Sequence, residues 1–298
     1  MSDLDTLARR AEALLARMEL LLPAGPLPTD WKSIAFRWRK RNGRGAIEAV
    51  RHVHRISLND LCGIGGQKKI VEQNTRQFVD GHPANNVLLT GARGTGKSSL
   101  IKALLNKYAA RSLRVIEVEK QDLVDLPEIV ELIAERRERF ILYCDDLSFE
   151  ADEPGYKALK VVLDGSVAAA SENCLIYATS NRRHLMPEFM SENLEAKRVD
   201  DEIHPGETVE EKISLSERFG VWVSFYPFDQ DEYLEIVEQW LAHFKVARAG
   251  TDAVRQAALQ WALQRGSRSG RVAWQFARDW AGRLKTEGGR RKDEGKKA

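Results

Sequence analysis

Residues 87–99 read VLLTGARGTGKSS and carry the strongest structural signal in the chain. The apolar run Val87–Leu89 predicts a short buried strand, and a glycine-rich turn then opens a helix. From Gly91 to Lys97 and Ser98 the spacing is GxxxxGK[ST], in which glycines let main-chain N–H groups turn inward and form a nest for phosphate. The following helix adds its positive end at the same place. The stretch therefore predicts a triphosphate-binding loop rather than an accidental glycine-rich turn.

The spacing also predicts individual roles within this loop. Lys97 is expected to reach the β and γ phosphates of ATP, and the Ser98 hydroxyl is expected to bind Mg²⁺. ATP, ADP and Mg²⁺ are therefore the expected ligands. The predicted nucleotide-binding residues of the loop are Gly91, Ala92, Arg93, Gly94, Thr95, Gly96, Lys97, Ser98 and Ser99.

Polar residues follow two further predicted strands. Asp145 and Asp146 come directly after Phe140–Cys144, which is continuously apolar, as in a strand buried on both faces. Asp145 suits a Mg²⁺ ligand and Asp146 a group that orients or deprotonates the attacking water, although a solvated strand end is the alternative. The segment Ala178–Asn181 ends the next strand, and a polar side chain there could touch the γ-phosphate or belong to a plain turn.

Strands alternate with helices over the middle of the chain, which predicts an α/β fold with a parallel sheet of five strands flanked by helices. The final third predicts three helices, and residues 3–22 predict an amphipathic helix. The tail from residue 286 to 298 has no apolar periodicity and is expected to be disordered. The five predicted strands are Val87–Leu89, Arg114–Val118, Phe140–Cys144, Leu175–Thr179 and Val221–Phe225.

Composition excludes several classes of protein. The chain has 298 residues, of which 43% are hydrophobic and 30% charged, and no apolar run reaches the roughly 18 residues that span a bilayer. The start Met1–Asp5 lacks the basic residues of a secretory signal, so a cytoplasmic location and no membrane partner are expected. The cysteines at 62, 144 and 174 show no CxxC spacing, which argues against disulfides and structural zinc.

The stretch Lys32–Arg55 is basic, with eight Lys/Arg, one acid and interspersed aromatic residues. Such a composition suits a surface that binds nucleic acid, but charge runs are more often solvated faces. We therefore also consider a helix or linker packed on the body by its aromatic residues. A third interpretation is an arm that docks on the acidic segment Met186–Glu217 of a neighbouring subunit.

The chain resembles the AAA+ ATPases, and in particular a bacterial family of single-domain AAA+ proteins classed as a domain of unknown function. The stretches that carry the resemblance are spread over residues 85–280, so it covers most of the chain. It rests on the order of five stretches: NNVLLTGARGTGKSSLIKALL, RFILYCDDLSFE, IYATSNRRHL, ISLSERFGVWVSF and SGRVAWQFARDW.

The resemblance implies roles that spacing alone does not. Asn181 is similar to the sensor-one residue, Arg218 to the arginine finger that reaches a neighbour's nucleotide, and Arg271 to the sensor-two arginine of the lid. The segment around Leu61 and Ile64 resembles the one that packs on adenine. Individual surface ion pairs are the alternative for the arginines. Rival residues for these contacts are Arg268, Arg182 and Arg183.

The resemblance also implies an organisation and a function. We expect a helical and basic extension at 1–58, an AAA+ domain at 59–227, a helical lid at 228–285 and a basic tail. The expected activity is hydrolysis of ATP to ADP and phosphate by a homo-oligomer that remodels or regulates a protein client. A slow ATP-dependent switch is one alternative, and a helicase-loader-like ATPase on DNA is another. The interval Glu119–Arg139 has no aromatic residue and no glycine, which argues against a threading unfoldase.

Overall fold

The computed structural model describes most of the chain. The described residues are 5, 7, 9–15, 29–41, 43–149, 153–164, 172–182, 185, 198–199, 202–203, 215–246 and 250–294, with side chains up to residue 284. Of the helix predicted for residues 3–22, residues 9–15 are described and are helical. Most of the acidic segment at 186–217 lies outside the described residues.

The regular elements alternate along the chain as the sequence predicts. The strands are β1 (Ala35–Arg41), β2 (Arg44–Ala49), β3 (Val87–Gly91), β4 (Leu113–Glu117), β5 (Arg139–Cys144), β6 (Cys174–Ser180), β7 (Arg198–Val199), β8 (Glu202–Ile203) and β9 (Val221–Phe225). The helices are α1 (Gly65–Val79), α2 (Lys97–Tyr108), α3 (Leu126–Ile133), α4 (Pro154–Asp164), α5 (Gln230–His243), α6 (Asp252–Arg265) and α7 (Gly270–Glu294).

The main sheet has seven strands in the order β2-β1-β4-β5-β6-β3-β9, and β7 pairs only with β8. All neighbours in the main sheet are parallel except β1 and β2, which form an antiparallel pair. The α/β class and the parallel sheet are confirmed, but the predicted count of five strands is wrong. The five predicted strands form β4-β5-β6-β3-β9, and β1 and β2 extend that sheet at the β4 edge.

The two added strands come from the basic stretch, so the expected helical character of residues 1–58 does not hold for 35–49. Phe36 and Trp38 are buried and alternate with partly exposed arginines, which is the period-two pattern of a strand with one covered face. The indole Nε1 of Trp38 donates a hydrogen bond to Asp125 Oδ2 at 2.9 Å. One interpretation expected this stretch to pack on the body through its aromatic residues as a helix or linker. It does pack through them, but it forms strands.

Four cations of this stretch pair with carboxylates of the same chain. Three of the pairs join β1 to β4 and the segment after it, and the fourth joins β1 to β2. Their N···O distances are 2.7 Å for Arg37–Glu117, 2.7 Å for Arg39–Glu119, 2.8 Å for Lys40–Asp125 and 2.8 Å for Arg41–Glu48. Because these carboxylates already neutralise four of the eight cations, the stretch offers less free positive charge to phosphates than the sequence suggests.

Two apolar layers cover the two faces of the sheet. In β3, Val87 and Leu89 belong to one layer and Leu88 belongs to the other, as a strand buried on both faces requires. The first layer contains α1, α2 and the last three helices, and the second contains α3 and α4. Both faces are therefore closed to water, and the strand ends are left as the accessible part of the sheet.

The last three helices pack together after β9. α5 begins with a capping box in which Asp229 and Glu232 exchange hydrogen bonds at 2.8 and 3.0 Å. α7 continues to Glu294, so the expected disorder from residue 286 is wrong up to that point. Lys, Arg and Glu favour helix and no proline interrupts them, which outweighs the two glycines at 288 and 289. Within the described ranges, none of the helices combines the length and apolar character needed to cross a membrane.

Candidate functional site

The site lies where three neighbouring strands end. β5, β6 and β3 are adjacent and parallel, so their carboxyl ends open onto the same edge of the sheet. The glycine-rich loop follows β3, Asp145 and Asp146 follow β5, and Asn181 follows β6. In open α/β sheets this edge is where ligands bind. The sequence places its predicted polar residues here, and the structure brings them within hydrogen-bonding distance of one another.

The glycines of the loop adopt conformations that other residues rarely adopt. Gly91, Gly94 and Gly96 have φ values of 123, 76 and 97°. A Cβ atom at Gly91 would lie 1.9 Å from the carbonyl oxygen of Phe225 in β9, and one at Gly94 would lie 2.8 Å from Ser269. Both positions therefore require glycine for lack of space as well as for backbone conformation.

We expect Gly91→Ala to lower the free energy of unfolding by more than about 2 kcal/mol, because the added methyl group meets backbone and the positive φ is strained. Gly66→Ala is the matched control, since nothing lies within 4 Å of a Cβ there and its φ is ordinary. We expect that control to stay within about 1 kcal/mol of wild type. Urea denaturation followed by far-UV circular dichroism measures both changes, and equal stability of the two variants would contradict this account of the loop.

Lys97 is the central donor of the site. Its Nζ donates to the carbonyl oxygens of Gly91 at 2.6 Å and Ala92 at 2.7 Å, and to Asn181 Oδ1 at 3.1 Å. The side chain is buried, and burial lowers the pKa of this ammonium below its usual value, while the nearby carboxylates of Asp145 and Asp146 oppose that shift. The lysine is thus a desolvated cation held at the mouth of the loop.

Asp145 lies opposite the start of α2. Its Oδ1 accepts hydrogen bonds from Ser98 Oγ at 2.8 Å and from Thr179 Oγ1 at 2.5 Å. Burial alone would raise the pKa of this carboxyl, but hydrogen bonds from Thr179 and Ser98 hold the pKa below its usual value. Asp145 is therefore an anion placed beside a hydroxyl, which is a donor set that suits Mg²⁺.

Asp146 has the left-handed backbone conformation, with φ 54°. Its N–H donates to Thr179 Oγ1 at 2.9 Å, and its Oδ1 accepts a hydrogen bond from Asn181 Nδ2. Its Oδ2 lies 3.7 Å from an Nη of Arg93. Since Asn181 also accepts from Lys97, one amide connects the lysine of the loop to the second aspartate.

The strand ends, the segment that precedes α1, the first turns of α2, and helices α5 and α7 enclose a cleft of about 650 Å³. It contains Leu61 and Ile64, which were predicted to pack on adenine. It also contains Arg271, whereas its rival Arg268 is not among the residues that line the described cleft. Of the other rivals, Arg182 lies two residues after Ser180, and its backbone N–H donates a hydrogen bond to Ser180 Oγ at 3.1 Å. Arg183 lies outside the described residues.

Helix α7 touches the glycine-rich loop directly. The N–H of Gly270, the first residue of α7, donates to the carbonyl oxygen of Gly94 at 2.9 Å. Arg271 follows at once, and among the described residues no carboxylate forms an ion pair with it. Its guanidinium is therefore available to an anion in the cleft.

Arg218 lies away from this cleft. It precedes β9 and forms an ion pair with Asp164 at the end of α4, and it is absent from the described lining of the chain's own cleft. The structure thus brings Lys97, Asp145, Asp146 and Asn181 together with Arg271, but it does not bring Arg218 to them.

Sequence reasoning missed part of the cleft. The missed lining residues include two tryptophans of the last three helices, Trp240 and Trp274, and residues that precede α1: His54, Ile56 and Asp60. Trp240 lies on the apolar stripe of α5, so its pattern is that of an ordinary core residue. Apart from the segment that the resemblance pointed to, no spacing signal marks these residues, because the packing of the lid onto the loop brings them together.

A family model described as "Protein of unknown function (DUF815)" matches residues 31–284. The chain belongs to the DUF815 family. The match includes the phosphate loop, both aspartates, the lid and the two added strands. No match was found among curated proteins.

The solved structures most similar in fold include two point mutants of Thermotoga maritima RuvB. This DUF815 chain is 17% identical to one, with a TM-score of 0.50 and 77% of this chain and 67% of that chain covered. It is 16% identical to the other, with a TM-score of 0.50 and coverage of 78% and 68%. A structure of the replication initiator DnaA bound to AMPPCP and single-stranded DNA is 18% identical, with a TM-score of 0.49 and coverage of 80% and 68%.

The likeness to RuvB shows the fold, which is that of the AAA+ P-loop ATPases. The DUF815 chain spans 67 and 68% of the length of these two RuvB chains and 64% of another RuvB mutant. The glycine-rich loop, the two aspartates and Asn181 thus lie at the carboxyl edge of a sheet whose fold is shared with RuvB.

Proposed function

We propose that the chain binds Mg·ATP and hydrolyses it to ADP and phosphate. The observation that carries this proposal is the convergence of Lys97, the Ser98–Asp145 pair and the Asp146–Asn181 pair at the carboxyl ends of three adjacent strands. A triphosphate needs a cation, main-chain N–H donors and a metal-holding carboxylate at one place. The cleft beside them holds apolar and aromatic side chains that suit a base.

The residues present fit a Mg²⁺-bound triphosphate. Positive φ values at Gly91, Gly94 and Gly96 let main-chain N–H groups of the loop turn toward one anion, and these glycines place no side chain between the backbone and phosphate oxygens. Ser98 and Asp145, already 2.8 Å apart, would hold Mg²⁺, which neutralises phosphate charge when bound. Lys97 would exchange its carbonyl partners for phosphate oxygens, a favourable change because its ammonium is desolvated.

Two residues would act on the γ-phosphate and the water that attacks it. Asp146 would orient that water and accept its proton while the water oxygen bonds to phosphorus and the bond to ADP breaks. Asn181, which touches Lys97 and Asp146 at once, would fix their relative positions. Leu61 and Ile64 would contact adenine. Arg271 would bind the γ-phosphate and so couple its presence to the position of the lid.

The same site would also serve a slow nucleotide switch, which binds ATP, changes partners and turns over little. Steady-state phosphate release measured across protein concentration separates the two functions. The ATPase account expects turnover per chain that rises with concentration as the homo-oligomer forms. A rate that stays at the uncatalysed level at every concentration, despite ATP binding, would favour the switch.

The position of Arg218 supports a role across a subunit boundary. An arginine that precedes β9 and lies outside the cleft of its own chain could reach the cleft of a neighbouring subunit. We expect Arg218→Ala to leave ATP affinity unchanged and to lower turnover of the assembled protein by at least about 10-fold, since a supplied arginine stabilises charge on the transferring group. Phosphate release at high protein concentration, with assembly checked by light scattering, measures this. Equal turnover of the assembled variant and wild type would reject the role.

A further inference from the structure

Arg93 occupies a position of the phosphate loop that the GxxxxGK[ST] pattern leaves unspecified. Its side chain is 75% exposed, and an Nη lies 3.7 Å from Asp146 Oδ2. An ion pair this exposed contributes little to stability, because water screens both charges and the arginine must be ordered to make it. Folding therefore gives no strong reason for a guanidinium at this place, which lies among the residues that line the cleft.

The partner of Arg93 is the aspartate proposed to act on water. One oxygen of the Asp146 carboxylate is held by Asn181, and the other faces Arg93. The backbone of Asp146 is fixed by the hydrogen bond from its N–H to Thr179 Oγ1 at 2.9 Å. The carboxylate thus links Asn181 at the end of β6 to Arg93 of the phosphate loop. Of these side chains, the exposed Arg93 is the one that can change its conformation most easily.

A γ-phosphate would compete with Asp146 for this guanidinium. A phosphate group has more negative charge and more acceptor oxygens than one carboxylate, and arginine binds it with two parallel hydrogen bonds. Arg93 belongs to the loop that would cradle the triphosphate, so its exposed side chain can change partner without disturbing any buried contact. ADP lacks the γ-phosphate and offers no such competitor.

We propose that Arg93 distinguishes ATP from ADP by pairing with Asp146 when the γ-phosphate is absent and with the γ-phosphate when it is present. After the exchange, Asn181 is the remaining partner of the Asp146 carboxylate among the contacts described above. This inference rests on the proposed ATP site, and it assigns to the site a γ-phosphate contact from its own loop, separate from Arg271 of the lid and Arg218 of a neighbour.

The test compares affinities for two nucleotides in the full chain. Calorimetry with Mg·ADP and with a non-hydrolysable Mg·ATP analogue is performed on wild type, Arg93→Ala and Arg93→Lys. For Arg93→Ala we expect the affinity for the analogue to fall about 10-fold or more and the affinity for ADP to stay within about 2-fold, since only one ligand loses a charge-assisted contact. Arg93→Lys should keep part of the preference as a point charge.

Arg76→Ala, which removes an exposed arginine on α1 outside the cleft, is the matched control and should bind both ligands as wild type does. An unchanged ratio of the two affinities in Arg93→Ala overturns the proposal, and so does an equal loss for both ligands. Because the ratio is measured without turnover, a chain that binds but does not hydrolyse still tests Arg93. Failure of wild type to bind either ligand would instead overturn the proposed function and this inference with it.

Discussion

Lys97→Ala is expected to raise the dissociation constant for Mg·ATP at least about 100-fold, because several charge-assisted contacts to phosphate are lost together. In the structure this ammonium is buried and already gathers three acceptors, the carbonyl oxygens of Gly91 and Ala92 and the side chain of Asn181. An alanine offers no cation to the triphosphate and leaves these carbonyls without their donor. Calorimetric titration with Mg·ATP measures the change.

Two comparisons make the Lys97→Ala result specific. Lys69→Ala removes an exposed lysine on α1 that is not part of the cleft, and it should bind as wild type does. A thermal melt of each variant, recorded without nucleotide, shows whether the loop still folds. A folded Lys97→Ala protein that binds Mg·ATP with wild-type affinity would contradict the role of the lysine.

The second large effect is expected from Asp146→Asn, which should keep ATP binding and lower turnover at least about 100-fold, the usual contribution of a general base. Asparagine has nearly the shape of aspartate, so the φ of 54° and the hydrogen bond from the N–H to Thr179 can remain. The charge that would accept a proton from water is removed. Phosphate release at saturating ATP measures the rate, and calorimetry measures binding.

Asp231→Asn, an exposed position in the first turn of α5, is a suitable control for removal of one carboxylate, with wild-type turnover expected. If Asp146→Asn hydrolyses ATP at the wild-type rate, the residue that activates water has been assigned wrongly. If the variant is inactive but retains binding, it also provides a trap: a pulldown with it in the presence of ATP should retain a protein client that wild type releases.

The sequence predicted much of the site because parallel strands impose simple geometry. Lys97, Asp145 and Asn181 each follow an apolar run, and the carboxyl ends of neighbouring parallel strands meet at one edge. What the pattern did not contain is the network between them, in which Asn181 joins Lys97 to Asp146 and Arg93 approaches from the loop. Such contacts depend on side-chain rotamers, which motifs do not specify.

The hairpin of β1 and β2 shows where the sequence-based interpretation failed. The charge and aromatic content of the basic stretch suggest a helix or linker, whereas the alternation of Phe36 and Trp38 with arginines has the period of two that is typical of a strand. Asn42-Gly43, between two such runs, is a strong hairpin signal. A further requirement emerges only in three dimensions: a Cβ at Gly45 would fall 1.8 Å from the Trp38 ring, so glycine makes room for the indole.

The lid residues of the cleft could not be predicted for a different reason. Trp240 and Trp274 reach the site because α5 and α7 pack against each other and because Gly270 bonds to Gly94. These contacts join residues far apart in sequence, and helical periodicity assigns each tryptophan to a face without saying what that face meets.

Every proposed role requires the cradle of main-chain N–H groups, Lys97 and Asp145 to hold a triphosphate, so calorimetric titration of this chain with Mg·ATP is the decisive experiment. The account predicts saturable binding of one nucleotide per chain that weakens when EDTA removes the metal. Absence of binding heat at several temperatures, from protein shown to be folded by circular dichroism, would contradict it.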